Sequence, residues 1–274
     1  MSRSSSTKLS LAIWPRPGFE NRAGLLSREL SLPLLPVASA QDVPDTEQEQ
    51  LTLVVDDGGL SLQQLGPKAP GPVRCEFALG AARHRRLHGG GRGQDIAKAT
   101  GLSRSGFRPQ LLDLTAGLGR DGFILASLGA QVTMIERNPV IYALLADGLS
   151  RAADKAEEDP PLAEILRRIN TVCQDSVDYL ETLTDQACPD VIYLDPMFPS
   201  REKSSKVKKE MQIFHQLVGP DDAGELLPVA LGKARYRVVV KRPAHAPVLE
   251  GREPGYSLKG KSTRFDIYPL QKLP

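Results

Sequence analysis

Residues 111–122 read LLDLTAGLGRDG, an apolar run that ends in an acid and opens into a glycine-rich turn. Gly117, Gly119 and Gly122 stand in a G-x-G-x-x-G spacing. No other stretch constrains the fold as strongly, because a buried strand entering such a turn, followed by the short helix RDGFILASLG, opens a parallel α/β sheet. The alternation continues downstream. QVTMIERN (131–138) reads as a strand, and PVIYALLADGLSRAA as a helix with Pro139 in its first turn. INTVCQD (169–175), VIYLDP (191–196) and YRVVVKRP (236–243) read as further strands. DDAGELLPVALGKAR reads as a helix strained by Pro228, and YSLKGKSTRFDIYPL as two strands around a basic turn. Strand-helix alternation puts helices on both faces of a mostly parallel sheet, so the expected class is α/β and Rossmann-like.

Upstream the pattern differs. Residues 1–40 are proline-rich, and no element is assigned there. LTLVVDDGGLSLQQL (51–65) is two alternating runs around Asp-Asp-Gly-Gly, a hairpin signal. VRCEFAL (73–79) reads as a third strand. A chain of 274 residues has room for one α/β domain and a smaller appendage. The expected organisation is a small β-rich N-terminal unit over 1–80 and the main domain over 81–274.

The glycine turn predicts a ligand. In an open parallel sheet, ligands sit beyond the carboxyl ends of the strands. Glu136 closes the second strand of the main domain, where a carboxylate accepts both hydroxyls of a ribose. An adenosine-containing ligand follows. A dinucleotide would bring its pyrophosphate to the helix start, yet Asp113 and Asp121 flank this turn and only Arg120 offsets them. S-adenosylmethionine (SAM) carries an ammonium, a carboxylate and a sulfonium, and no phosphate. Asp113 or Asp121 serves its ammonium, and Arg120 or the N–H groups of the Gly117–Gly119 loop its carboxylate. The fold expectation sharpens to a class I SAM-dependent methyltransferase.

VIYLDPMFP (191–199) places Asp195, Pro196 and Phe198 at the end of the fourth strand of that sheet. An exocyclic amine of a nucleobase is a poor nucleophile, its lone pair being delocalised into the ring. Two acceptors that take both N–H bonds favour a pyramidal nitrogen. Asp195 supplies one, and the Pro196 carbonyl is a candidate for the other. Phe198 offers a stacking platform for a flipped base. The prolines fix the backbone before the substrate arrives.

LLDLTAGLGRDGFILASLGAQVTMIERNPV, VIYLDPMFP and KGKSTRFDIY together resemble the RsmJ family of bacterial SAM-dependent methyltransferases. HRRLHGGGRGQDIAKA, VKKEMQIFHQLVGPD and VVVKRP also fit that family's pattern. The resemblance covers roughly residues 80–268, and nothing is carried over for the first 70. It implies methylation of a guanine N2 in 16S rRNA, with the RNA or the small ribosomal subunit as partner. It further implies cofactor contacts at Arg120, Asp121, Glu136, Arg137, Asp175, Ser176 and Asp195, with Asp175 suited to the adenine amine.

The basic segments gain a task under this reading. HRRLHGGGR (84–92) carries Arg85, Arg86 and Arg92 and no acid. SREKSSKVKKE (200–210) carries Lys203, Lys206, Lys208 and Lys209 and reads as a basic lid over RNA. Lys241 and Arg242 follow the fifth strand and are expected at the same rim; Lys259, Lys261 and Arg264 extend the path. No histidine has ligand spacing with another histidine, cysteine or acid, so no metal is expected. Cys75, Cys173 and Cys188 are too scattered for a disulfide framework, which fits a reducing cytoplasm. No run reaches the roughly 18 apolar residues of a membrane span, so no membrane partner is expected. Competing readings are another amino-methyltransferase acting on DNA adenine or a protein glutamine, an NAD-dependent oxidoreductase, and a non-enzymatic ribosome-assembly factor.

Overall fold

The computed structural model describes residues 11–35, 51–65, 71–80, 83, 84, 86, 90–196, 217 and 223–274. By its internal contacts the chain divides after Cys75.

In the first unit, β1 (Leu11–Pro15), α1 (Glu20–Leu30), β2 (Leu51–Asp56) and β3 (Gly59–Gln64) are formed. β1 runs parallel to β2, and β2 antiparallel to β3 with Asp56 opposite Gly59. The hairpin is the one that Asp-Asp-Gly-Gly announced: Asp56 Oδ1 accepts the Gly58 N–H at 2.8 Å. Ala12, Trp14, Leu35, Val54 and Leu65 form its core. β1 and α1 were not legible in advance. LAIWP is too short to alternate, and α1 buries only Ala23 while Leu25 stays exposed, so its periodicity is faint. The third strand expected at 73–79 does not form. Val73 makes a single bridge to Leu62. Glu76 then accepts the N–H groups of Ala78 and Leu79, which turns the chain.

The second unit holds a seven-stranded sheet of order β6-β5-β4-β7-β8-β10-β9. Its elements in chain order are α2 (Asp95–Thr100), β4 (Gln110–Asp113), α3 (Arg120–Ser127), β5 (Gln131–Glu136), α4 (Pro139–Ala156), α5 (Pro160–Leu166), β6 (Ile169–Cys173), α6 (Ser176–Thr182), β7 (Val191–Leu194), α7 (Ala223–Lys233), β8 (Arg237–Pro243), β9 (Tyr256–Lys259) and β10 (Thr263–Pro269). β4 lies between β5 and β7, parallel to both; β6 and β8 extend the parallel set. β10 enters antiparallel between β8 and β9.

Consecutive residues of a strand face opposite sides of its sheet. Ile135 therefore joins Leu112, Leu194, Val238 and Val240 under α6 and α7, through Leu180, Leu226, Leu227 and Ala230. Met134 faces the other side, where α3 comes so near that a Cβ on Gly122 would stand 2.5 Å from Met134 Cε. Pro139 opens α4 as expected, after an Asn138 cap whose side chain accepts from Val140 and Ile141 N–H. α5 and α6 were not anticipated; each is started by an aspartate cap, Asp159 and Asp175. α7 forms with Pro228 inside it.

Candidate active site

Four elements converge on the turn after β4. Leu114 N–H donates to Tyr193 O at 3.0 Å, and Ala116 N–H to Ile135 O at 3.1 Å. Ser176 Oγ donates to Leu114 O at 2.7 Å. The backbone N–H of Asp195 donates to Thr115 Oγ1 at 2.6 Å. Gly117 N–H donates to Glu136 Oε2 at 2.9 Å, while Glu136 Oε1 accepts from Asn138 N–H. The carboxyl ends of β4, β5 and β7 and the start of α6 are thus one hydrogen-bonded rim.

The two turn glycines do different things. Gly117 has φ +54°, and a Cβ there would meet only the Thr115 carbonyl, at 4.0 Å. Its outer side is an open cradle, suited to close approach of a ligand. Gly119, at φ +69°, would put a Cβ 2.5 Å from Leu145 Cδ1 and 3.2 Å from Met134 Sδ. Glycine at 119 is therefore required by its left-handed backbone and by the packing of Leu145 and Met134 against it.

Beside the cradle lies a charge network. Lys241 Nζ donates to Asp121 Oδ2 at 2.6 Å and to Asp195 Oδ2 at 2.8 Å. Tyr193 Oη donates to the same Asp121 oxygen at 2.7 Å. Asp113 stands behind them, 2% exposed, accepting Thr115 N–H at 3.2 Å. Burial pushes the Asp113 carboxyl up to about 8, and the charges of Asp121 and Asp195 add to that. Burial likewise raises Asp195, to about 6, against the pull of Lys241. Burial also raises Glu136, opposed by the N–H groups of Asn138 and Gly117. Lys241 is held above its usual range, because Asp195 and Asp121 outweigh the desolvation of its ammonium. Asp195 keeps 39% of its side-chain surface open, enough to meet a ligand.

Several expected roles need restating. Asp113 is shut behind the turn, not open to a cofactor ammonium. The Ser176 hydroxyl is used to hold α6 to β4. Asp175 Oδ1 caps α6 by accepting Val177 and Asp178 N–H. Arg120 and Arg137 lie at the ends of the turn and of β5, the first exposed and the second half-buried. Pro196 is buried directly after Asp195.

Among the expected RNA contacts, Arg86 is paired with Asp159, with Nη1 at 3.0 Å from Oδ1. Lys241 belongs to the carboxylate network. Arg242 is 4% exposed, with Nε donating to Pro247 O. Arg264 is buried against Asp266. In this structure all four are engaged by groups of the protein itself. Arg92 is half-buried in a turn at 91–93. Arg85, Phe198, Lys203, Lys206, Lys208 and Lys209 lie outside the described residues.

Three residues of the rim escaped sequence reasoning: Thr115, Tyr193 and the actual task of Lys241. Tyr193 on β7 stands two before Asp195, and in an extended run that spacing places both on one face. Lys241 required the β7–β8 register, in which Leu194 faces Val240.

A parallel sheet with one reversed strand, a glycine cradle after β4, an acid closing β5 and Asp-Pro after β7 together define a class I SAM-dependent methyltransferase. The SAM_MT family model of SAM-dependent methyltransferases matches residues 36–270. A relative in Cellvibrio japonicus (strain Ueda107), named ribosomal RNA small subunit methyltransferase J, is 51% identical over 97% of this chain and 99% of its own. One of the same name in Pseudomonas aeruginosa (strain UCBPP-PA14) is 54% identical over 83% and 85%. The crystal structure of a SAM-dependent methyltransferase from Neisseria gonorrhoeae superposes with a TM-score of 0.69 at 35% identity, covering 94% of this chain and 95% of that one. The chain belongs to the ribosomal RNA small subunit methyltransferase J family. Among the described residues no helix is long and apolar enough to cross a membrane, and no group of three or more histidine, cysteine or acidic side chains is placed to hold a metal ion.

Proposed function

We propose that this protein transfers the methyl group of SAM to the exocyclic N2 of a guanosine in 16S rRNA, within the cytoplasm. The catalytic domain on this reading is 81–274, with 1–80 as an appended unit. One observation carries the proposal: the 2.6 Å bond from Asp195 N–H to Thr115 Oγ1. It fixes the Asp-Pro segment to the turn that cradles the cofactor, so an amine held by Asp195 lies at the same rim. The names of the relatives support ribosomal RNA as the substrate.

The residues present suit the cofactor. Gly117 leaves the cradle open; Glu136, held by two N–H groups, takes the ribose hydroxyls; Arg120 and Asp121 face its amino-acid end; Arg137, Asp175 and the backbone of Ser176 take the adenine side. The bound cofactor supplies an electrophilic methyl on a sulfonium. Asp195 and the Pro196 carbonyl accept the two amine N–H bonds and hold the nitrogen lone pair free. Phe198 stacks on the base. The methylated amine carries one proton too many, and Asp195 or water accepts it. Arg85, Arg92, Lys203, Lys206, Lys208 and Lys209 contact phosphates, which positions the RNA without reading its sequence.

The test is incubation of the protein with SAM and unmethylated 16S rRNA, then nucleoside mass spectrometry. N2-methylguanosine is expected with the wild type and none with Asp195→Ala. Label on adenine, on DNA or on protein, with none on guanine N2, would overturn the proposal.

A further inference from the structure

We propose that Lys241 is a positioning residue of the methyl-transfer site, whose ammonium holds Asp195 as an ionised acceptor for the substrate amine and ties it to Asp121. The inference rests on the function proposed above and adds a residue that the sequence placed on the RNA surface.

The geometry is a closed clamp of three elements. β7 contributes Tyr193 and leads into Asp195, β8 contributes Lys241 and α3 contributes Asp121. Tyr193 Oη and Lys241 Nζ share one oxygen, Asp121 Oδ2, at 2.7 and 2.6 Å. Lys241 then reaches back to Asp195 Oδ2 at 2.8 Å. With its backbone on Thr115 and Oδ2 on Lys241, Asp195 is fixed at both ends, and Oδ1 is the oxygen assigned to the amine. An ammonium has three protons to give, and two are committed here. Its charge is thereby shared between two carboxylates, which a phosphate would have to compete with.

The charges around Asp195 show why a cation is needed. Asp113 approaches from β4, Asp121 from α3 and Tyr193 from its own strand; Lys241 and Arg242 come from β8. Burial and Asp121 favour a protonated Asp195, which donates one hydrogen bond and is a weaker acceptor for an N–H. Lys241 is the larger of the two opposing cations. Removing it leaves Asp195 beside Asp121 with Arg242 alone to balance them.

The experiment compares wild type, Lys241→Met and Lys241→Arg. Without cofactor or RNA, the side-chain carboxyl 13C signal of Asp195 is followed by NMR against pH. Its midpoint is expected to rise by about 1–3 pH units in Lys241→Met and to return toward wild type in Lys241→Arg. The acid limb of kcat against pH is expected to move the same way, with KM for RNA little changed. Should Lys241→Met not fold, Lys241→Gln carries the same expectation. An unmoved carboxyl midpoint overturns the proposal. So does a uniform loss of RNA affinity with a shallower salt dependence and an unmoved acid limb, the behaviour of a phosphate contact. If the wild type places no methyl on guanine N2, the proposed function fails while the carboxyl titration still decides the task of Lys241.

Discussion

Asp113 and Asp195 share one charge network and differ in what burial leaves them. Asp195 is open on one side and tied to Lys241, and its carboxyl titrates near 6. Its acceptor form exists above that value, so wild-type methyl transfer should fall as pH drops through about 6, read as the acid limb of kcat/KM. Asp113 has no such outlet, and burial raises it to about 8 from an ordinary value of 3.8. Between those values the folded protein keeps a proton that the unfolded chain has lost. Stability from this group is therefore complete below about 4 and is lost as pH rises to about 8. Asp113→Asn removes the dependence while its amide oxygen can still accept Thr115 N–H. Its melting temperature relative to wild type should climb steadily from pH 4 to 8; a constant difference would contradict the protonated reading. Sequence reasoning found both acids because they end strands, but strand-end position does not reveal which one the turn covers. The carboxylate partners of Lys241 were hidden for the same reason, since a lysine after an apolar run looks alike whether it meets phosphate or carboxylate.

Between elements, the glycines separate ligand space from packing space. Gly117→Ala meets open room, so its cost is the left-handed backbone, about 1–2 kcal/mol. It should fold with a modestly lower melting temperature and lose cofactor affinity by calorimetry. Gly122→Ala drives a methyl into Met134, an overpacking worth about 1–3 kcal/mol. It should melt lower and, while folded, bind cofactor with little change. A G-x-G-x-x-G spacing cannot distinguish these duties; only the nearness of α3 to Met134 does. The elements that periodicity recovered are those with long apolar faces or an explicit start signal, such as α4 after Asn138-Pro139. Those it missed are short or, like α1, bury too little to show a period. α5 and α6 have seven residues each, and their aspartate caps read as loop acids. VRCEFAL has strand composition, yet Glu76 bonds two following N–H groups and bends it away from a ladder.

For the whole molecule, strand-helix alternation announced a mostly parallel sheet, but the β4–β7 pairing that builds the site is a matter of strand order, which alternation alone does not fix. The place of the C-terminal pair was not legible, since two strands around a turn fit either edge. β10 carries a buried ion pair within itself: Arg264 Nε and Nη2 donate to the two oxygens of Asp266 at 2.7 and 2.8 Å, and Ser257 Oγ joins from β9. Asp266→Ala strands the Arg264 guanidinium and should cost about 3–5 kcal/mol of unfolding free energy in a denaturant titration. A loss below 1 kcal/mol would show that the pair is dispensable.

The order in which the sheet is completed follows from β10. It is the last strand of the sheet in chain order, yet it is an inner strand, and among the described residues β9 pairs with it alone. A nascent chain holding everything up to Ser262 would carry β8 with one side uncovered and β9 with no neighbour at all. A stop codon there removes seven residues of strand but forfeits two strands of the sheet, so β8 and β9 find their shared neighbour only once β10 has been made.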